Sequence, residues 1–260
     1  MSSRSFRFTR ELGYRKKWEK KRMKILIMCG GRGKRLGKFT ETLPKPLVKI
    51  TEKSLLEFKL EEYLRQGFHE FIFCIGYKGD LIRKTVMKFS DVARMEFSDA
   101  GIEAGILERL YAARDLFTDH VLMTYGDTFT DMELEEFCTI HQTSENDATI
   151  VVAPIENPFG LVEFDRNYQV TYFKEKPVLN YYIGYAIINK SAFDFISSKV
   201  ITMPNGEGLV TFYKILMAMN KLGVYYHPGL QVTFNTPEEL VEAKNKIIRF
   251  YTTNETTYAQ

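Results

Sequence analysis

The sequence is poor in cysteine and tryptophan and has no long apolar stretch. Three of its 260 residues are Cys and one is Trp. Cys29, Cys74 and Cys138 lack the spacing of a metal site. Two of them fall in runs that read as buried strands, so all three are expected to be reduced and structural, in a cytoplasmic protein. No apolar run approaches the ~18 residues that a membrane span requires. No apolar segment precedes a cleavage site near the start, so no secretory signal is expected. Internal repeats and long low-complexity linkers are also missing. The apolar fraction of 45% and charged fraction of 27% are those of an ordinary globular protein.

The net charge of +3 hides an asymmetry. Residues 1–22 hold nine Lys or Arg against two Asp or Glu, +7, which leaves 27 against 31, −4, for the rest. The segment 1–22 reads as a solvated basic extension, and Trp18 suggests that it docks on the body or on a neighbouring subunit. Because the basic charge is confined there, no nucleic-acid partner is expected. The length suits one core, so residues 23–251 are expected to form a single domain, with 252–260 as a tail.

The most informative stretch starts at residue 23. The apolar run Ile25 to Cys29 ends at Gly30, Gly31 and Gly33, as a buried parallel strand does when it enters a turn. Free amides in such a turn can cradle an anion. Arg32, Lys34, Arg35 and Lys45 follow, the last between Pro44 and Pro46, which restrict its backbone. Amides and fixed cations together suit a triphosphate. The turn is not a Walker A loop, since Arg35 follows Gly33-Lys34, and it is not a Rossmann G-x-G-x-x-G. Alone, a glycine-rich turn is as often a plain strand-to-loop connection.

Strand and helix patterns then alternate. Ser54 and Glu57 form a capping box ahead of a helix whose apolar positions are Leu55, Leu56, Phe58, Leu60, Tyr63 and Leu64. Further strands are predicted over 71–75, near 93–98 and over 121–125, with helices near 79–89 and up to Phe117. This order predicts an α/β fold with a mixed, mainly parallel sheet and helices on both faces. Ligands bind beyond the carboxyl ends of such strands. The glycine turn, Gly76-Tyr77 and Gly126-Asp127 all fall there. Asp127 is placed to hold a metal, although a Gly-Asp pair alone is often only a turn. Beyond residue 131 the pattern gives a strand over 147–154, a hairpin over 159–174, a strand near 182–188, helices from about 191 and 208, and a strand over 224–227. Thr236 and Pro237 open a last helix.

The glycine turn followed by Pro44-Lys45-Pro46-Leu47 resembles the signature G-G-x-G-[TS]-R-L…P-K-P of the sugar-1-phosphate nucleotidyltransferases, with Lys34 where Thr or Ser is usual. Gly76-Tyr77-Lys78-Gly79, Asp99 to Gly101 with Arg109-Leu110, Thr124 to Asp127 and His227-Pro228-Gly229 extend the likeness toward the glucose-1-phosphate cytidylyltransferases over about residues 23–245, although the loop after Lys88 looks shorter. The resemblance implies a Rossmann-like, GT-A-like nucleotidyltransferase fold, with residues 23–130 taking the nucleotide and 131–251 the sugar. It implies that an NTP, CTP favoured, and a sugar-1-phosphate, glucose-1-phosphate favoured, give an NDP-sugar and pyrophosphate with Mg²⁺, in a homo-oligomer. Arg35 and Lys45 would be catalytic. Gly30, Gly31, Gly33, Lys34, Gly76, Tyr77, Arg109 and Asp127 would bind the nucleotide. Glu163, Lys176 and Gly184 would bind the sugar phosphate. Asp127 would carry the metal. The family's second metal-binding Asp maps to Asn235, or to Thr233 in another register, and Asn is a weaker ligand. A nucleotide-binding regulatory subunit and transfer to a non-sugar acceptor such as phosphocholine stay open as alternatives.

Overall fold

The computed structural model describes residues 23–257. The basic segment 1–22, with Trp18, and residues 258–260 lie outside that range. In chain order the strands are β1 (Lys24–Met28), β2 (Glu70–Ile75), β3 (Arg94–Asp99), β4 (His120–Tyr125), β5 (Thr128–Thr130), β6 (Ala148–Glu156), β7 (Leu161–Phe164), β8 (Val170–Lys174), β9 (Val178–Asn189), β10 (Leu222–Tyr226) and β11 (Gln231–Thr233). The helices are α1 (Lys38–Thr42), α2 (Leu55–Arg65), α3 (Gly79–Val86), α4 (Ile106–Ala112), α5 (Leu134–Gln142), α6 (Ser198–Ile201), α7 (Glu207–Ala218) and α8 (Pro237–Thr257).

Seven strands form the central sheet in the order β10-β6-β9-β4-β1-β2-β3. Neighbours pair in parallel except β9, which runs antiparallel to both β4 and β6. The sheet is therefore mixed and mainly parallel, as the alternation of patterns predicts. Along β1 the side chains alternate between two cores. Ile25 and Ile27 meet Leu56, Leu60 and Tyr63 of α2, Ile82 of α3 and Phe137 of α5. Leu26 faces the other way, toward Leu107 and Leu110 of α4 and Phe212 and Leu216 of α7. Each such buried side chain contributes about 1.5–3 kcal/mol, and both faces of the sheet are covered.

Local chemistry sets several boundaries. Ser54 and Glu57 cap α2 reciprocally, with Glu57 N–H donating to Ser54 Oγ at 3.3 Å and Ser54 N–H to the Glu57 carboxylate at 2.8 Å. Thr236 Oγ1 caps α8 by accepting from Glu239 N–H at 3.2 Å. The β7–β8 hairpin forms a separate two-stranded sheet, and Asp165 Oδ1 closes its turn by accepting from the amides of Asn167 and Gln169.

Four expectations are corrected. The helix expected to reach Phe117 ends as α4 at Ala112 and continues only as a 3-10 turn, Arg114–Leu116. The helix expected from residue 191 is a 3-10 turn, Lys190–Phe195. The strand near 182–188 begins at Val178, because the residues before it pair with the outer part of β6. The last helix runs to Thr257, beyond the expected domain end at 251. Among the described residues no helix is long and apolar enough to cross a membrane.

A short ribbon completes the fold. β5 and β11 pair antiparallel, with Thr128 opposite Thr233 and Thr130 opposite Gln231. α8 packs on it through Leu240, Ala243 and Ile247, against Phe129, Val232 and Phe234. Leu36 and Val48, from the segment between β1 and α2, join the same cluster.

Candidate active site

The turn after β1 is shaped by its glycines and by what packs against it. Gly33 has φ 61°, the left-handed region that favours glycine, and the chain then enters a 3-10 turn, Lys34–Leu36. Among the described residues the amides of Gly31, Arg32 and Gly33 donate to nothing in the chain, so they are free to meet an anion. Arg35 and Lys34 are exposed on this turn. Arg32 reaches Glu103 at 2.7 Å. Tyr77 braces the far side, its hydroxyl donating to the carbonyls of Thr40 at 3.0 Å and Glu41 at 3.2 Å.

Lys45 returns the loop to the sheet ends. Its Nζ lies 2.5 Å from Asp127 Oδ2 and 3.1 Å from Asn235 Oδ1, and its side chain is only 9% exposed. The ammonium also lies 5.4 Å from the Phe234 ring centroid. Pro46 packs on the turn that carries Asp127: a Cβ on Gly126 would stand 2.7 Å from Pro46 Cγ and 2.7 Å from the Met28 carbonyl. The sequence spacing of Pro44-Lys45-Pro46 thus becomes a close fit between the loop and the end of β4.

The β5–β11 ribbon brings the other half of this cluster. Asp127 directly precedes β5, and Phe234 and Asn235 directly follow β11. Antiparallel pairing of Thr128 with Thr233 brings the two segments together, and Lys45 bonds to both Asp127 and Asn235, positions 108 residues apart in the chain. Asn235, not Thr233, shares Lys45 with Asp127.

The opposite end of the ribbon is tied by His227, whose Nε2 lies 3.0 Å from Asp131 Oδ1 and 3.2 Å from the Leu230 carbonyl. Burial alone would lower the His227 pKa; the Asp131 carboxylate and the Leu230 carbonyl outweigh it and leave the pKa raised. The protonated ring therefore stabilises the fold below its unfolded pKa of about 6.5, and the effect is lost as pH rises through the higher folded value. For His227→Gln, the melting-temperature deficit against wild type should be largest near pH 5.5, and should shrink by about pH 8.5.

Other expected site residues are placed differently. Arg109 is buried beneath the loops, its Nη1 donating to the Ile75 carbonyl at 2.7 Å and its Nη2 to the Ile102 carbonyl at 3.0 Å. Its guanidinium fills the space that a Cβ on Gly30 or Gly76 would occupy. It thereby joins the loops after β1, β2 and β3. Gly184, at φ 80°, lies under the Tyr125 ring, where a Cβ would come within 2.6 Å of Cδ2. Glu163 is exposed on β7, and Lys176 is exposed just before β9 with φ 42°. Neither contacts the Lys45 cluster among the described residues, and they form no ion pair with each other. Burial raises the thiol pKa of Cys74 to about 12 and pushes that of Cys29 higher still. Both thiols stay protonated and inert.

One residue of the site escaped the sequence reading. Lys59 is wholly buried, and its ammonium donates to the carbonyls of Tyr125 and Thr128 on either side of Asp127. The signal was there: positions 56, 59, 60 and 63 form one helical stripe, and a lysine interrupts its apolar residues.

Among the described residues no group of three His, Cys, Asp or Glu could hold a metal. Asp127 and Asn235 offer one carboxylate and one amide oxygen. Mg²⁺ takes hard oxygens, often one or two carboxylates completed by phosphates and water. The donor set would fit a Mg²⁺ whose other ligands come from phosphate and water, with Asp127 and Asn235 as the residues that would hold it.

A glucose-1-phosphate cytidylyltransferase from Salmonella typhimurium is 29% identical over 251 residues, 84% of this chain and 93% of that protein. A mannose-1-phosphate guanylyltransferase catalytic subunit beta from Xenopus tropicalis is 31% identical over 163 residues, 60% of this chain and 45% of that protein. The solved structure of HddC from Yersinia pseudotuberculosis, complexed with GMP-PN, superposes with a TM-score of 0.65 at 20% identity, covering 87% of this chain and all of that one. The fold is thus the GT-A-like one of nucleotidyltransferases. The family pattern described as nucleotidyl transferase spans residues 24–222. The chain belongs to the nucleotidyl transferase family.

Proposed function

We propose that the chain joins an NTP, CTP favoured, to a sugar-1-phosphate, glucose-1-phosphate favoured, releasing pyrophosphate. The observation that carries this reading is the meeting of Lys45, Asp127 and Asn235 at the strand ends, beside a loop with free amides. The relatives named above act, by name, on glucose-1-phosphate and mannose-1-phosphate, which supports a sugar-phosphate acceptor. An oxygen of the sugar phosphate attacks the α-phosphorus, the new P–O bond forms, and the bond to the β-phosphate breaks with its electron pair leaving on pyrophosphate.

The protein's part is to position the reactants and neutralise charge. The amides of Gly31 to Gly33 cradle the phosphates, with Gly30, Gly76 and Tyr77 shaping the nucleotide side over the brace of Arg109. Arg35 and Lys34 take the β- and γ-phosphates and the leaving pyrophosphate. Lys45 turns from Asp127 to the α-phosphate as the nucleotide enters. Bound Mg²⁺, held by Asp127 and Asn235, would neutralise phosphate charge. Lys176 and Glu163, with Gly184 leaving room beside Tyr125, meet the sugar phosphate. The reading includes a homo-oligomer in the cytoplasm. The aromatics exposed on the hairpin, Phe164 at 60% and Tyr168 at 82%, support self-association.

The test is pyrophosphate release over a matrix of five nucleoside triphosphates and several sugar-1-phosphates with Mg²⁺. CTP with glucose-1-phosphate should give the highest rate; no release with any pair would refute the reading. A second reading, a nucleotide-binding regulatory subunit, is favoured by one observation: Asn235 supplies a neutral ligand. Nucleotide binding without release, with release restored by Asn235→Asp, would establish it.

A further inference from the structure

We propose that Lys59 is a positioning residue for the nucleotide site, its buried ammonium clamping the turn that presents Asp127. The inference rests on the functional reading above and adds a residue to it. Lys59 lies on the inward stripe of α2 with Leu56, Leu60 and Tyr63, all of them buried. The hydrogen bonds of its ammonium all go to neutral oxygens. They are Thr124 Oγ1 at 2.9 Å, the Tyr125 carbonyl at 2.7 Å, the Thr128 carbonyl and the Tyr185 hydroxyl at 3.2 Å. The rings of Tyr185 and Tyr63 stand 4.9 and 5.7 Å away. No carboxylate lies within ion-pair distance of it among the described residues.

Burying an ammonium without a carboxylate is costly, and an apolar side chain of similar length would pack at least as well. Stability therefore does not account for a lysine at this core position. Geometry does. Two of its acceptors are main-chain carbonyls, one on each side of Gly126-Asp127, so the ammonium fixes both ends of the turn. Lys45 holds the same turn through the Asp127 carboxylate. Asp127 thus sits on a segment gripped by two cations. Asn235 adds no charge, so the group of Lys45, Lys59 and Asp127 is net positive. That field favours a polyanion such as a triphosphate.

The test compares wild type with Lys59→Met, which keeps the length and removes the donors. The melting temperature should hold or rise. Amide hydrogen exchange should accelerate in a peptide spanning 124–130 and stay unchanged elsewhere in the sheet. CTP affinity in the presence of Mg²⁺, read by calorimetry, should weaken about tenfold. Lys59→Gln, which retains amide donors, should recover part of both effects. Unchanged exchange or unchanged affinity in Lys59→Met overturns the proposal. So does faster exchange throughout the sheet, or failure of both variants to fold, since either assigns Lys59 to fold maintenance alone. A wild-type chain that binds CTP but releases no pyrophosphate would sink the transfer reading and leave the clamp standing. One that binds no nucleotide would sink both.

Discussion

Replacing Lys45 with alanine should lower turnover by about 10²–10³-fold while the chain still folds. The size follows from where the ammonium sits. It is fixed between Pro44 and Pro46, nearly shielded from solvent, and within hydrogen-bond reach of Asp127 and Asn235. Held on a restricted backbone, the ammonium has only its side chain to turn from Asp127 to the α-phosphate, where it meets charge developing in the transition state, which is why its loss falls on turnover. The stability cost should lie between the ~1 kcal/mol of an exposed pair and the ~3–5 kcal/mol of a buried one, because Asp127 remains 28% exposed and can be rehydrated. Steady-state pyrophosphate release and a thermal melt check both parts. Near-normal turnover would remove Lys45 from the mechanism.

Asp127→Asn should cost turnover a similar or larger factor, about 10³-fold, with a different signature. Lys45 would keep two amide oxygens but lose its counter-charge, so the chain should still fold with a stability loss of about 1–3 kcal/mol. The anion facing the triphosphate would be gone, so the KM for nucleotide should hold or fall while kcat collapses. The Mg²⁺ concentration giving half-maximal rate should rise, because the only carboxylate of the pair is lost. A rate that stays high, or a rise in nucleotide KM with kcat preserved, would show that Asp127 serves binding alone.

The sequence made legible what local chemistry dictates. The run into Gly30, the capping box at Ser54, the turn at Asp165 and the start of α8 at Pro237 each carry their own signal, and each is found where expected. Strand direction has no such signal, so β9 gave no hint that it runs opposite to its neighbours. β5 and β11 have three residues each, too few for an alternating pattern to stand out. That omission hid the approach of the segments that carry Asp127 and Asn235, which Lys45 joins. α5 also went unread. Lys59 was overlooked because a lysine on a helix is ordinarily a surface residue, and only its position on the stripe says otherwise. The resemblance implies a nucleotide ligand at Arg109, and its hydrogen bonds to the Ile75 and Ile102 carbonyls, which brace the loops, had no signal in the sequence.

The path between β6 and β9 has one more consequence. These strands are hydrogen-bonded partners, and Asn157 N–H donates to the Pro177 carbonyl at 3.0 Å where the chain departs and returns. Everything from 157 to 177 is therefore an excursion whose two ends already meet. Such a segment behaves as a cassette. Its length or sequence can change without breaking the β6–β9 pairing or disturbing the strand ends around Lys45 and Asp127.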